Sequence, residues 1–355
     1  MKMISISGTV SKGWLAGALD VRFDREYYFN PAQRYAIDSR CHDYVEEKFG
    51  GMGLFYSESN LGQFEYWGKD QVLVGGIQPN MIMGMLLGAE FVPYNNNDAD
   101  ITAHCLVGKT AAELPGPDVL LDHELVRLFD EQILKLQNDS ERGLCPIPPF
   151  YWDLSGRATI HGVMTSAQKF FGETFYMDMM TEPERCLEIM FWIAKAYVVL
   201  CRHFSEIAKL PITAVHVGEC SACMVGPDLI EQFVVPVTSL IGRELGPLRL
   251  HSCGPSSSHL GAFKQIENLN SLDLGGDTSI GKVRELFGKE MFISVSPMPH
   301  DMSAEGSETI LRWARSINDE NDGGPLAYVY HLEPDYNIDN LRALTDFVKS
   351  FNDFA

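Results

Sequence analysis

The sequence predicts an α/β fold, a single (β/α)8 barrel of TIM type with an N-terminal helical extension, and three observations carry that prediction. From residue 211 onward, five short apolar runs each precede a helical pattern. Repeated strand-then-helix units are the signature of a parallel sheet. The runs lack strict apolar–polar alternation, as do strands covered on both faces. A chain of 355 residues, 45% hydrophobic, has the material to fill one large core. The rival is an open doubly wound sheet, but no GxGxxG loop follows a first strand. No Pro/Gly-rich linker divides the chain, so one domain spans 1–355, with 1–70 as the extension and 71–355 as the barrel.

The elements follow in order. Asn30-Pro31 opens PAQRYAIDSRCHDYVEEKF, whose apolar positions recur at helical spacing, with Pro31 in the first turn and glycines at 50, 51 and 53 ending it. QVLVGGI at 71–77 reads as a short strand. MIMGMLLGAEFVPY at 81–94 reads as a buried helix that breaks before Pro93, and 122–137 as an amphipathic one. A long apolar helix occupies 181–209, where TEPE supplies Thr181 as cap and acids for the first turn. The βα rhythm then sets in. ITAVHV at 212–217 precedes a helix at 227–242, and LRLHS at 248–252 a helix near 258–267. SLDL at 271–274 precedes TSIGKVRELFG, MFISVS at 291–296 a helix at 306–317, and LAYVYHL at 326–332 the run NIDNLRALTDFVKSF.

Composition removes several function classes. Lys plus Arg is 28 and Asp plus Glu 48, a net charge of −20, and no basic patch intervenes to hold a phosphate backbone. Nucleic-acid binding is poorly supported on that ground. The apolar runs are too short to span a bilayer, and MKMISISGTVSKGW lacks the apolar stretch of a secretory signal. Eight cysteines without a framework-like rhythm fit a cytoplasmic, thiol-rich protein in which some bind metal. Oligomeric state is not legible.

In a parallel barrel the C-terminal strand ends converge on one mouth. Here those ends carry Glu219, Cys220 and Cys223 after 212–217, His251 and Cys253 after 248–250, Asp273 on the next strand, and His331 on the last. His251-x-Cys253 has the greatest weight, because residues i and i+2 of an extended segment point the same way and can face one zinc ion. Gly254 then lets the chain turn away from the metal. The competing reading is a core histidine beside an inert buried cysteine. Cys220-x-x-Cys223 reads as a chelating or redox pair, or as two small hydrophobes in a loop. Glu219 is the better third ligand and His331 a candidate fourth. Glu219 and Asp273 are the candidate catalytic carboxylates.

Weaker signals lie elsewhere. His216 points opposite to Val215 and Val217, toward the lumen or a helix. His161 and Tyr151-Trp152-Asp153 read as an aromatic lip over a pocket or as loop packing. Asn95-Asn96-Asn97-Asp98 forms a polar turn, and Tyr56, Glu58 and Asn60 alternate in a way that can reach a ligand. No nucleophile elbow, P-loop or HExxH is present.

With these residues in view, the chain resembles the uroporphyrinogen decarboxylase superfamily, and within it the corrinoid-dependent methyltransferase branch. The likeness runs through NPAQRYAI, GPDLIEQFVVPVTSLI, RLHSCG, the Asp273 strand and HLEPDYNIDNLRAL. It implies that His251 and Cys253 are zinc ligands. The family often adds a cysteine on the last strand, where this chain has Tyr330-His331. The decarboxylase's arginine-rich N-terminal motif is absent.

The resemblance implies a zinc-dependent methyl transfer between a small substrate and the cobalt of a separate corrinoid protein. A ligand set with Glu219 in place of a second thiolate leaves the zinc more electrophilic, which favours a phenyl methyl ether donor. The alternatives are a methylcobalamin:thiol methyltransferase, a metal-free decarboxylase working through Asp273, and a non-catalytic corrinoid-binding scaffold.

Overall fold

The computed structural model describes residues 4–52, 54–55, 70–139 and 143–352. In chain order their strands are β1 (Ile4–Val10), β2 (Leu54–Phe55), β3 (Gln71–Leu73), β4 (Phe91–Val92), β5 (Asp100–Ile101) and β6 (Cys145–Ile147). They continue with β7 (Arg157–His161), β8 (Ala214–Gly218), β9 (Leu248–Ser252), β10 (Leu269–Gly275), β11 (Phe292–Ser296) and β12 (Leu326–Leu332).

Eight strands form one sheet in the order β2-β1-β12-β11-β10-β9-β8-β7. Every pairing in it is parallel. The sheet curls into an open half-barrel flanked by helices. Among the described residues no ladder joins β7 to β2, and β3 pairs in parallel with β6 apart from the main sheet.

The faces of the sheet divide by the two-residue period of the strands. Val215, Val217, Leu250, Leu272, Leu274, Ile293 and Val295 are buried in the hydrophobic core. Each such side chain contributes about 1.5–3 kcal/mol by leaving water. The alternate positions, among them His216, Arg249, His251, Asp273 and Ser294, take the other face and line the lumen. The long helix Pro183–Ala208 is apolar on several sides because it packs within the helical layer.

Several expectations need correction. The first 70 residues supply the helix Pro31–Phe49 as expected, but they also place β1 in the sheet beside β12. The helix expected over 81–94 is Pro79–Leu86; Gly88 at φ +96° ends that unit, and Phe91–Val92 pairs with Asp100–Ile101 instead. Thr181 is not a cap. It closes the preceding helix Thr174–Thr181, its hydroxyl donates to the Met177 carbonyl, and Pro183 begins the next helix. The helix expected at 227–242 contains a π-helical turn, Ile230–Val234. Pro236 lacks the N–H that the Gln232 carbonyl would accept, and the turn before it widens. No helix among the described residues is long and apolar enough to cross a membrane.

Candidate metal centre

The site grows out of β8 and β9. In LRLHS, Leu248, Leu250 and Ser252 are buried on one face, which sends Arg249 and His251 to the lumen, with Cys253 one pleat further on. Gly218 at the end of β8 is the register partner of His251. The Glu219 N–H continues the ladder, donating to the His251 carbonyl at 2.8 Å. The chain then winds into a single 3-10 turn, Cys220–Met224. This brings together ligand atoms of Cys220, His251 and Cys253, all within 4.8 Å of one another. Cys253 is exposed, and the other two are half-buried.

Asp273 lies beside His251 in the β9–β10 register, and its Oδ2 is 2.9 Å from His251 Nδ1. With Nδ1 engaged, Nε2 remains for a metal, the usual arrangement behind a ligating histidine. The same carboxylate oxygen meets Arg249 at 3.2 Å, and Arg249 also donates to the Ser294 hydroxyl at 2.9 Å. Burial alone would raise the Asp273 carboxyl, but Arg249 and His251 overcome it and hold it well below the usual range. For His251, burial favours the neutral ring, yet Asp273 and Cys253 together raise it to about 9. A hydrogen bond to Cys253 pushes the Cys220 thiol up, and hydrogen bonds from Cys220 and His251 hold the Cys253 thiol far below its ordinary value. A divalent soft metal would displace the Cys220 thiol proton and the imidazole's, so the donor chemistry suits one.

The remaining sequence-predicted residues are placed as follows. Glu219 is fully buried, and its carboxylate accepts the N–H groups of Met164 and Thr165, both at 3.2 Å, at the start of the helix Val163–Phe171. Burial raises it to about 7, with those donors working in opposition. His331 is on the sheet rim with Nδ1 2.9 Å from the hydroxyl of Thr9, its register partner on β1. Neither is among the three clustered residues. Cys223 turns away, donating to the Cys220 carbonyl at 3.1 Å. Gly254 serves Cys223 rather than the metal, because a Cβ there would meet Cys223 Sγ at 2.6 Å.

Trp152 forms a floor and not a lip. It pairs with Arg157 at the N-terminal end of β7, and its ring lies 4.4 Å from that of His216 and 5.6 Å below the Arg249 guanidinium. Above it, His161 Nδ1, His216 Nδ1, Arg249 Nε and Asp273 Oδ1 are buried without a hydrogen-bond partner among the described residues. Asn97 Oδ1 accepts the Asp98 N–H in the polar turn, and Asp98 pairs with the buried Lys12. Tyr56, Glu58 and Asn60 lie outside the described residues.

Sequence spacing did not single out Arg249 or Thr165, and it did not separate Cys220 from Cys223. No local signal distinguishes those two thiols. Arg249, two residues before His251 on the same strand, was recoverable from the period that paired His251 with Cys253.

No protein-family model matches the sequence, and no curated protein does. Solved structures do. A B12-independent methionine synthase from Shewanella sp. W3-18-1, in complex with selenomethionine, aligns over 98% of each chain at 10% identity with a TM-score of 0.49. A methyltransferase from Methanosarcina mazei aligns over 99% of this chain and 95% of that chain at 13% identity, with a TM-score of 0.66. This chain therefore has a fold found in a methyltransferase, with a Cys2His cluster able to hold a metal ion.

Proposed function

We propose that the protein is a zinc-dependent methyltransferase that moves a methyl group between a small substrate and the cobalt of a separate corrinoid protein. The observation that carries this reading is the cluster of Cys220, His251 and Cys253 at the C-terminal ends of parallel strands, backed by Asp273. That end is where barrel enzymes place their chemistry, and the reading takes the eight-strand sheet as the wall of a (β/α)8 barrel. Two thiolates and an imidazole favour zinc over oxygen-seeking cations, and three protein ligands leave a fourth position for substrate. A bound zinc would supply Lewis acidity and lower the pKa of a thiol taking that position.

The chain's own groups do the rest. Asp273 holds the imidazole in one tautomer and one orientation. Cys220 would release its thiol proton and join Cys253 as a thiolate ligand. Trp152, His216 and Arg249 close the lumen below, so a reacting methyl group faces the open mouth, where a corrinoid would have to approach in line.

The ligand set bears on the substrate. A phenyl methyl ether donor goes with Glu219 as a ligand, but the Glu219 carboxylate is engaged by Met164 and Thr165. Two thiolates donate more electron density to a divalent ion than one thiolate and a carboxylate, which suits keeping a bound substrate thiolate nucleophilic better than polarising an ether oxygen. Methyl transfer to a thiol is therefore the first reading. The aromatic floor of Trp152 and His216 supports the ether donor as the second. A cytosolic setting suits eight unpaired cysteines.

The test combines metal analysis with a methyl-transfer screen. Purified protein should carry about one zinc per chain, and His251→Ala or Cys253→Ala should lose both metal and turnover while keeping the fold. Methylcobalamin with thiols, and reduced cobalamin with phenyl methyl ethers, are followed by cobalt absorbance. Full metal and turnover in both variants would overturn the ligand assignment. Decarboxylation by metal-free protein would favour the decarboxylase alternative.

A further inference from the structure

Cys220 differs from the other two clustered residues in its backbone. His251 lies on β9 and Cys253 directly follows it, whereas Cys220 opens a five-residue 3-10 turn. A short turn has little intrinsic rigidity, so the place of this sulfur depends on what holds the residues on either side of it.

Both sides are held by one device. On the N-terminal side, the Glu219 carboxylate accepts Met164 N–H on Oε1, and Thr165 N–H and the Thr165 hydroxyl on Oε2, at 3.2, 3.2 and 3.3 Å. On the C-terminal side, the same Thr165 hydroxyl oxygen accepts the Ser221 N–H at 3.1 Å. One hydroxyl thus donates to the residue before Cys220 and accepts from the residue after it. The helix Val163–Phe171 has no side-chain cap of its own, so Glu219 satisfies orphan N–H groups there and complements the helix dipole. Gly162 makes the approach possible, because a Cβ at that position would sit 2.0 Å from the Glu219 carboxyl carbon.

We propose that Glu219 and Thr165 are positioning residues that clamp the Cys220 turn so that its thiolate completes the Cys2His site. The proposal rests on the metal-site reading above and gives Glu219 a role other than that of ligand. To reach a metal, the carboxylate would have to give up three hydrogen bonds to the helix start.

Thr165 separates the two roles, because its hydroxyl is committed to Glu219 and Ser221. Wild type, Thr165→Val and Thr165→Ser are loaded with Co2+ as a spectroscopic probe. The thiolate-to-cobalt charge-transfer absorption is measured alongside affinity by chelator competition, with circular dichroism to verify the fold. Wild type should show a two-thiolate band. Thr165→Val should lose one thiolate's share of it and bind about 10–100-fold more weakly, as other losses of support behind a metal ligand do. Thr165→Ser, which keeps the hydroxyl, should restore both. If Thr165→Val fails to fold, Glu219→Gln is read the same way: its amide nitrogen faces a backbone N–H that a carboxylate oxygen accepts in the wild type, so the clamp predicts loss of one thiolate's share of the band.

A normal band and affinity in Thr165→Val would overturn the clamp and leave the metal site standing. A normal two-thiolate band in Glu219→Gln, with the fold intact, would also count against it. A wild-type protein that shows no thiolate band would overturn the metal-site reading, and the clamp with it.

Discussion

His251 Nδ1 and Asp273 Oδ2 lie 2.9 Å apart across the β9–β10 ladder, and Arg249 reaches the same carboxylate oxygen at 3.2 Å. One buried acid thus orients a candidate ligand and neutralises a buried guanidinium. Asp273→Asn removes that charge with little change in shape. Metal affinity should fall about 10–100-fold, and stability by about 3–5 kcal/mol, because Arg249 is left buried without its counter-charge. Chelator competition and urea denaturation read the two effects separately. An affinity equal to wild type would show that Asp273 does not tune the histidine.

The cysteines should differ sharply in reactivity. Cys253 is exposed, and hydrogen bonds from Cys220 and His251 favour its thiolate. Cys186 and Cys201 are buried, and desolvation pushes both up to about 12. A brief iodoacetamide pulse on metal-free protein, mapped by peptide mass spectrometry, should modify Cys253 first. Added Zn2+ should protect it. Even labelling across the chain would contradict the geometry of the cluster.

His161 gives the protein an acid-sensitive limb. Burial first, then the charges of His251 and Lys169, lower its pKa from 6.5 to about 4. The folded value is below the unfolded one, so as pH falls the unfolded chain takes the proton first. The stabilisation is present in full above pH 6.5 and is lost as pH drops through 4. Its size is about 3 kcal/mol. His161→Gln should flatten this limb in denaturation midpoints between those pH values, and an unchanged slope would refute the assignment.

Arg284 tests the opposite end of the sheet. Its guanidinium donates to Asn321 Oδ1 and to the carbonyls of Lys289, Met291 and Pro325, which lead into β11 and β12. Arg284→Lys cannot reproduce that fork. It should cost about 2–4 kcal/mol by leaving buried carbonyls unpaired, while metal affinity stays at the wild-type value. A parallel loss of metal binding would mean that the two ends of the sheet are coupled.

The parts of the fold that were legible have local causes. LRLHS and LAYVYHL match β9 and β12 residue for residue, because each apolar run is bounded by turn residues and followed by a helical period. β1 was missed although ISISGTV alternates at the strand period, because its partner β12 lies more than 300 residues away. The π-turn at 230–234 and the Thr181 boundary depend on which backbone carbonyls lose their donors, which composition does not report.

The candidate site divides along the same line. Local chemistry, two residues apart on one strand, was sufficient to pair His251 with Cys253 and to aim them at a common centre. Choosing Cys220 over Cys223, setting Glu219 against a helix start, and seating Asp273 behind the imidazole all required the folded chain. Those contacts arise from the register of parallel strands and from a helix more than fifty residues away in sequence. Spacing within a motif carries no record of such distances, because the intervening helices, and not the chain length between residues, determine how neighbouring strands align.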